Sequence, residues 1–400
     1  MGPLTGKDIV LGITGGIAAY KSADLARQLI KQGGRVHVIM TDSAREFVSP
    51  LTFQTLTGNP VTTGLFHLYD EKKIGHIALA QRADILAVAP ATANCLGKVA
   101  GGIADDMLTT VIMATEAPVL FAPAMNVHMW DNAIVQENVG KLRAGGYHFI
   151  EPGRGELACG EEGTGRLAEV EDIVDEIITI LAPKDFAGKR VLVTAGPTRE
   201  PLDPVRFLSN PSSGKMGYAI AQAFCRRGAD VTLISGPTAE KPPRRADHVS
   251  VKTARDMYEQ VESCFPAADI VVKTAAVSDY SPRNVAEQKL KKTGGSSALE
   301  LERTPDILAG LGRKKGSRIL VGFAAETQDL LDNAREKLRS KNLDLIVAND
   351  VSRSDAGFGL DVNKVTFLYP DGSADDLPVL SKGAVAEELL DRIARLLKKQ

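Results

Sequence analysis

One order of elements appears twice along this chain: an apolar run, a glycine turn, a helical segment and a second apolar run. The first copy reads DIVLGIT, Gly15-Gly16, AAYKSADLARQLIKQG and RVHVIMT; the second reads GKRVLVTAG, a long loop, GYAIAQAFCRRG and ADVTLISG. Short β-branched runs bracketing a 3.6-period segment predict βαβ units, and runs apolar throughout rather than alternating predict strands covered on both faces of a parallel sheet. ADILAVAP and APVLFAP extend the first sheet, while DIVVKTAAVSD, RILVGFAAE and DLIVAND extend the second. Between the copies, the helical segment VEDIVDEIITIL runs into APKDFAG, a Pro and Gly stretch suited to a linker. The predicted fold class is therefore α/β, with two doubly wound, Rossmann-like three-layer domains in series, residues 1–186 and 187–400. VNKVTFLYPDGS predicts a hairpin turning at Asp371-Gly372, and AVAEELLDRIARLLKK predicts a closing amphipathic helix.

The bulk properties narrow the partners. With a net charge of -2 and the two signs mixed along the chain, no global field recruits nucleic acid or an acidic membrane, so small molecules are the expected partners. The N-terminal apolar stretch is too short to span a bilayer and is broken by glycines, which fits a first strand. Cys95, Cys159, Cys225 and Cys264 are scattered without a CxxC pair or histidines at metal spacing, which points away from disulfides and zinc and toward the cytoplasm.

In an open α/β sheet, ligands bind at the carboxyl ends of the strands. Gly15 and Gly16 follow a strand and open a helix, so they either let a phosphate or flavin ring reach the backbone or simply make a tight turn; GITGGIAAY is not a GxGxxG fingerprint. Asp42 is placed to contact a ribose or, with Ser43 and Ala44, to cap the next helix; Ser43 also offers a hydroxyl to a phosphate. His76 sits at the start of HIALAQRAD, and PATANCLGKVAGGIADD presents Thr92 and Asn94 in a small-residue setting with room for a flat ring. PAMNVHMW gathers Met125, Asn126, His128, Met129 and Trp130 after a strand. EPGRGELACGEEGTGRL, glycine-rich and too polar for a strand, reads as a mobile lid carrying Cys159.

In the second half, SNPSSGKMG resembles a P-loop but has Ser209 where the first glycine belongs and Met216 in place of the magnesium-binding hydroxyl. What remains is an anion-friendly loop of Asn210, Ser212, Ser213, Gly214 and Lys215 at a helix start. AAVSDY ends a strand with Asp279, a candidate for a ribose hydroxyl or a metal, and QKLKKTGGSS adds Lys289, Lys291 and Lys292, which either neutralise a triphosphate or form a solvated run. Phe323 lies at another strand end, and Lys337 and Lys341 share one helix face.

Taken in order, GGIAAYK, HIALA, PATAN, PAMN, LACGEEGTGR, SNPSSGKMG, AAVSDY, KLKK, GFAAET and NLDLIVAND resemble the family of bifunctional phosphopantothenoylcysteine decarboxylase and phosphopantothenate-cysteine ligase, across nearly the whole chain. The resemblance implies an FMN site of Gly15, Gly16, Ile17, Ser43, Thr92 and Ala93, with catalytic His76, Asn126 on the substrate carboxylate, and Cys159 as proton donor to an enethiolate. For the ligase half it implies CTP and a divalent cation such as Mg2+, with phosphopantothenate and cysteine as the other substrates. Asn210 would handle the acyl intermediate and Lys289 would stabilise charge. Nucleotide contacts would come from Lys273, Thr274, Ala275, Asp279, Lys289, Pro305, Asp306, Ile307, Leu308, Phe323, Lys337 and Lys341. A homo-oligomer, a dodecamer in that family, is implied as well. The competing readings are a nicotinamide-dependent oxidoreductase and a noncatalytic nucleotide sensor, since a doubly wound fold alone decides neither.

Overall fold

A computed structural model describes residues 2–65, 75–156, 160, 162–291, 298–326, 329–350 and 359–398. The chain forms two compact units, Met1–Ala182 and Pro183–Gln400.

In the first unit, β1 (Asp8–Ile13), β2 (Arg35–Met40), β3 (Ile85–Ala91), β4 (Val119–Pro123) and β5 (His148–Phe149) form a sheet in the order β2-β1-β3-β4-β5, every pairing parallel. Alternate residues of a strand face opposite sides, and here both sides are core. Ile9, Leu11 and Ile13 pack with Leu25 and Leu29 of the helix Lys21–Lys31 and with Ile173 and Ile177 of Val170–Leu181. Val10, Leu86, Val88 and Phe121 pack on the other face with Leu96, Leu108 and Trp130. This two-sided cover is why the strands read as continuous apolar runs.

β6 (Gly153–Glu156) and β7 (Glu162–Arg166) then pair antiparallel. The sequence there predicts a lid too polar for strands; the structure corrects this for its flanks. Gly155 at φ 154 and Gly165 at φ 157 take backbone angles closed to most side chains, and a Cβ on Gly165 would lie 2.2 Å from the Met125 carbonyl oxygen. Glycine is therefore what lets this polar ribbon press onto the PAMN loop.

The second unit holds β8 (Arg190–Ala195), the hairpin β9 (Arg199–Pro201) and β10 (Phe207–Ser209), β11 (Asp230–Ser235), β12 (Ala246–Ser250) and β13 (Ile270–Lys273). It continues with the hairpin β14 (Tyr280–Pro282) and β15 (Leu301–Arg303), then β16 (Ile319–Glu326), β17 (Leu345–Asp350), β18 (Val362–Asn363), β19 (Val365–Leu368), β20 (Ala374–Asp376) and β21 (Leu380–Ser381). Its main sheet runs β12-β11-β8-β13-β16-β17-β19-β20, parallel as far as β17 and antiparallel beyond. Asp371 and Gly372 lie in the β19–β20 turn, Gly372 at φ 88 and donating to the Tyr369 carbonyl at 3.0 Å, as the DG pair predicts. The long stretch expected to extend a strand through Asp279 is corrected: β13 stops at Lys273. There Thr274 Oγ1 donates to the Thr194 carbonyl at 2.6 Å and the Ala275 N–H donates to Thr194 Oγ1 at 3.3 Å, so hydroxyls replace the ladder and turn the chain out of the sheet.

Candidate functional site

Each unit gathers several of its candidate residues at the carboxyl ends of its parallel strands. In the first, Thr14 staples two strand tips: its hydroxyl donates to the Pro90 carbonyl at 2.8 Å and accepts from the Thr92 N–H at 3.0 Å. Thr92 in turn caps the helix Ala93–Gly101, accepting from the Cys95 N–H at 3.4 Å. After β2 the cap is Thr41, which accepts from the Ala44 N–H at 3.3 Å, and not Asp42 or Ser43. Ser43 is thereby left inside the first helical turn, where its hydroxyl is not consumed by capping.

These tips enclose a cavity of about 1150 Å³. Gly15, Gly16, Ile17, Ser43, Thr92, Ala93 and Asn126 all line it, which brings together seven residues scattered over the first third of the chain. The two glycines have different jobs. A Cβ on Gly15 would fall 2.3 Å from Ser43 Cβ and 2.9 Å from the Ser43 carbonyl oxygen, so Gly15 sets the approach of two tip loops. A Cβ on Gly16 would meet nothing nearer than Thr92 Cγ2 at 3.9 Å and would stand in the cavity itself. Asn126 caps the short helix Val127–Trp130 through Oδ1, which accepts from the His128 N–H at 2.8 Å. Met125 and Met129 join the lining, whereas Trp130 is drawn into the core.

His76 lies in the helix Gly75–Arg82 and is not among the cavity's lining residues. Cys159 lies outside the described residues, although β6 and β7 on either side of it contribute Glu156, Gly165 and Arg166 to the wall. Cys95 also lines the cavity, but burial pushes its thiol up to about 12, so it is a neutral contact and not a nucleophile. Sequence reasoning missed one polar group here: Lys98 pairs with Asp105 at 2.7 Å and Asp106 at 3.1 Å on the cavity wall. Burial raises the Asp106 carboxyl, but the Thr109 N–H and Lys98 outweigh it and hold it below the usual range. No motif spacing marks this group, because a turn and not a helix face brings the three residues together.

In the second unit, the helix Lys215–Arg226 starts behind Gly214 at φ 81. A Cβ on Gly217 would lie 2.4 Å from Thr274 Oγ1 and 2.5 Å from Ala195 Cβ, so this helix end can approach the strand tips only with glycine there. Ser212, Ser213, Lys215, Thr274, Ala275 and Phe323 line a pocket of about 100 Å³. Asn210 is tied to its rim by Nδ2, which donates to the Ala276 carbonyl at 2.9 Å. Sequence reasoning did not find Asn349, Asn363 and Lys382, which complete the lining from three separate elements.

A second group gathers beside β13. Lys341 pairs with Asp306 at 3.0 Å, and Asp306 caps the helix Ile307–Arg313 by accepting from the Ala309 N–H at 3.0 Å. Half-buried Lys273 feels both, and Asp279 and Lys337 as well: burial first, then the Lys341 charge, push its ammonium down to about 8 against the pull of the two aspartates. Ile307 and Leu308 turn their side chains into the core and leave only backbone for a ligand, while Pro305 is exposed. Lys289 is exposed on a loop and is not among the pocket's lining residues. That loop is clamped: the Leu290 N–H donates to Asp203 Oδ2 at 3.1 Å, and Arg206 Nη2 donates to the Leu290 carbonyl at 2.8 Å. Among the described residues no group of three His, Cys, Asp or Glu could hold a metal, and no helix is long and apolar enough to cross a membrane.

A parallel sheet with glycine-cradled tips around a large cavity, followed by a second nucleotide-type unit, is the build of a flavoprotein fused to a partner enzyme. The family described as Flavoprotein matches residues 2–182, and that described as DNA/pantothenate metabolism flavoprotein C-terminal domain matches residues 186–397. The Coenzyme A biosynthesis bifunctional protein CoaBC of Bacillus subtilis (strain 168) is 52% identical over 404 residues, covering 99% of this chain and 98% of that protein. Its namesake in Escherichia coli (strain K12) is 44% identical over 395 residues, covering 98% and 97%. A crystal structure of the C-terminal domain of a protein of that name is 46% identical, covers 54% of this chain and 100% of that one, and has a TM-score of 0.47. The chain belongs to the family of coenzyme A biosynthesis bifunctional proteins, enzymes with a flavoprotein decarboxylase half and a ligase half.

Proposed function

We propose that the second unit joins cysteine to phosphopantothenate with CTP and that the first unit decarboxylates the product with FMN. The observation that carries the reading is the pair of strand-tip sites, one wide enough for a flat ring and one at a helix N-terminus lined by hydroxyls and lysines. In the ligase, the phosphopantothenate carboxylate attacks the α-phosphorus of CTP to give an acyl-cytidylate and pyrophosphate; the cysteine amine then displaces CMP. Asn210 holds the acyl group near its rim position, Lys289 offsets charge developing on the phosphates, and the group of Lys273, Asp279, Asp306, Lys337 and Lys341 holds the nucleotide. Magnesium travels on the triphosphate, its usual mode of binding, with Asp279 as a nearby carboxylate.

In the first unit, the residues fit FMN: the bare backbone at Gly16 leaves the cavity open, and the Ser43 hydroxyl is placed for a phosphate. Bound FMN supplies the two-electron oxidation that converts the substrate thiol to a thioaldehyde, and it returns those electrons after carbon dioxide has left. Asn126 orients the substrate carboxylate, His76 acts as the catalytic histidine, and Cys159 gives a proton to the enethiolate. Cytoplasmic residence and assembly into a homo-oligomer, a dodecamer by family resemblance, complete the reading; native mass spectrometry tests the assembly. The reading as a whole is tested by two assays: release of FMN on denaturing the yellow protein, and pyrophosphate release that requires CTP, phosphopantothenate and cysteine together. Colourless protein that saturates with NADH would defeat it.

Two predictions follow from the geometry. Gly15→Ala should drive the Ser43 loop outward and yield protein with little bound flavin, measured as the ratio of flavin to protein absorbance; full occupancy would contradict it. Lys273 is protonated below a pKa of about 8, so CTP affinity should be highest at neutral pH and fall as pH rises through 8. Lys273→Met should flatten that profile in calorimetric titrations, and an unchanged profile would remove Lys273 from the nucleotide site.

A further inference from the structure

The small pocket of the second unit has a feature its basic and hydroxyl lining does not explain. Asn363 is 2% exposed and Asn349 is 9% exposed, and the Oδ1 atom of each lacks a hydrogen-bond partner among the described residues. Buried amide oxygens are nearly always satisfied. Both residues line the pocket, beside Lys382, itself only 8% exposed.

The chain takes deliberate steps to bring them there. β18 pairs antiparallel with β21, setting Asn363 opposite Leu380, and the Lys382 N–H donates to the Asp361 carbonyl at 2.9 Å. Ser381 caps the helix Lys382–Leu397, accepting from the Ala384 N–H at 3.2 Å. Lys215 pairs with Asp361 at 2.6 Å, which locks this C-terminal ribbon to the helix that begins at the SSGK loop. Among the described residues, Asn363 Nδ2 donates to the Met216 sulfur, at 3.5 Å, a weak acceptor. The residue is thus held in place in the pocket wall, with its amide oxygen buried and unpaired among the described residues.

At about 100 Å³ the pocket is several times the roughly 30 Å³ share of one water, so it takes a phosphate-sized group with a neighbouring polar substituent and not a whole nucleotide. The helix N-terminus, Ser212, Ser213 and the two lysines suit the anion. Two carbonyl oxygens do not; they call for an N–H or O–H donor on the same ligand.

We propose that Asn363, which shares the pocket wall with Asn349 and Lys382, is a specificity-determining residue of the ligase pocket, accepting a hydrogen bond from a hydroxyl or amino group carried next to the phosphate of a phosphorylated substrate. This rests on the ligase reading above. CTP and phosphopantothenate both carry such chemistry, and binding each alone tells them apart.

The test uses the full-length protein with Asn363→Leu, which keeps the volume and removes the acceptor, and Asn363→Ser, which keeps a smaller acceptor. Binding of CTP alone and of phosphopantothenate alone is measured by calorimetry, with the thermal midpoint and the decarboxylation of supplied phosphopantothenoylcysteine as controls. Asn363→Leu should weaken one of the two ligands by about tenfold or more, the scale of one lost hydrogen bond in a closed site, with the other ligand naming the source by its smaller change. Its thermal midpoint should hold or rise, because an unpaired buried oxygen has been removed, and decarboxylation should not move. Asn363→Ser should recover part of the affinity. Affinities within twofold of wild type for both ligands would overturn the proposal, as would a parallel loss of both affinities and the thermal midpoint that serine does not relieve. Should the wild-type protein bind neither ligand, the ligase reading itself fails, and the control turnover of the first unit separates that result from the others.

Discussion

Cys159→Ser is expected to slow decarboxylation of supplied phosphopantothenoylcysteine by about a hundredfold or more while ligation continues at the wild-type rate. A serine hydroxyl holds its proton far more tightly than a thiol, so the decarboxylated enethiolate, still at the oxidised level, waits for a proton that arrives only from water and cannot be reduced until it comes. The oxidised intermediate, two hydrogens short of phosphopantetheine, should build up and be visible by mass spectrometry. Ligation is spared because its residues lie in the other compact unit, Pro183–Gln400. Cys159 is a strong candidate because the strands on both sides of it, β6 and β7, place Glu156 and Arg166 in the cavity wall. Equal loss of both activities would contradict the assignment.

Lys289→Gln is expected to do the reverse: ligase turnover falls by about a hundredfold or more and decarboxylation is unchanged. Glutamine keeps most of the side chain's length and hydrogen-bonding ability and removes the charge, so the loss reports electrostatic stabilisation. The loop's anchor makes this a clean experiment. Asp203 and Arg206 hold the backbone at Leu290, next to the substituted residue, through bonds that do not involve the lysine side chain. The loop should therefore keep its path in the variant. Retained turnover would move the role to a neighbouring lysine, Lys291 or Lys292.

Much of the fold was legible because each sheet is covered on both faces, and such strands announce themselves as unbroken apolar runs between helical periods. The glycine tips were legible for a related reason: Gly15 and Gly16 follow a strand and open a helix, a position where close approach is the common use. What escaped was set by contacts between distant segments. The β19–β20 hairpin itself is legible from its Asp371-Gly372 turn, but nothing local in the sequence says that it extends the main sheet beside β17. The polar ribbon of β6 and β7 has no apolar alternation, and it forms because Gly163 and Gly165 fit under Val127 and Met125. Asn349, Asn363 and Lys382 meet in one pocket from three elements, and no spacing rule links them. Lys98, Asp105 and Asp106 were hidden inside a segment whose small residues drew attention to ring space instead of charge. The resemblance to a known family filled some of these gaps by residue type, but the placement of Ile307 and Leu308 in the core narrows what two of its nucleotide positions offer to backbone atoms alone.

The central claim is that one chain performs both steps in sequence. Full-length protein should be incubated with phosphopantothenate, CTP, magnesium and cysteine labelled at its carboxyl carbon, and the products weighed by mass spectrometry. The account predicts unlabelled phosphopantetheine, CMP, pyrophosphate and labelled carbon dioxide, all dependent on CTP. Failure to form the cysteine amide, or its accumulation without labelled carbon dioxide, from protein shown to hold FMN, would contradict it.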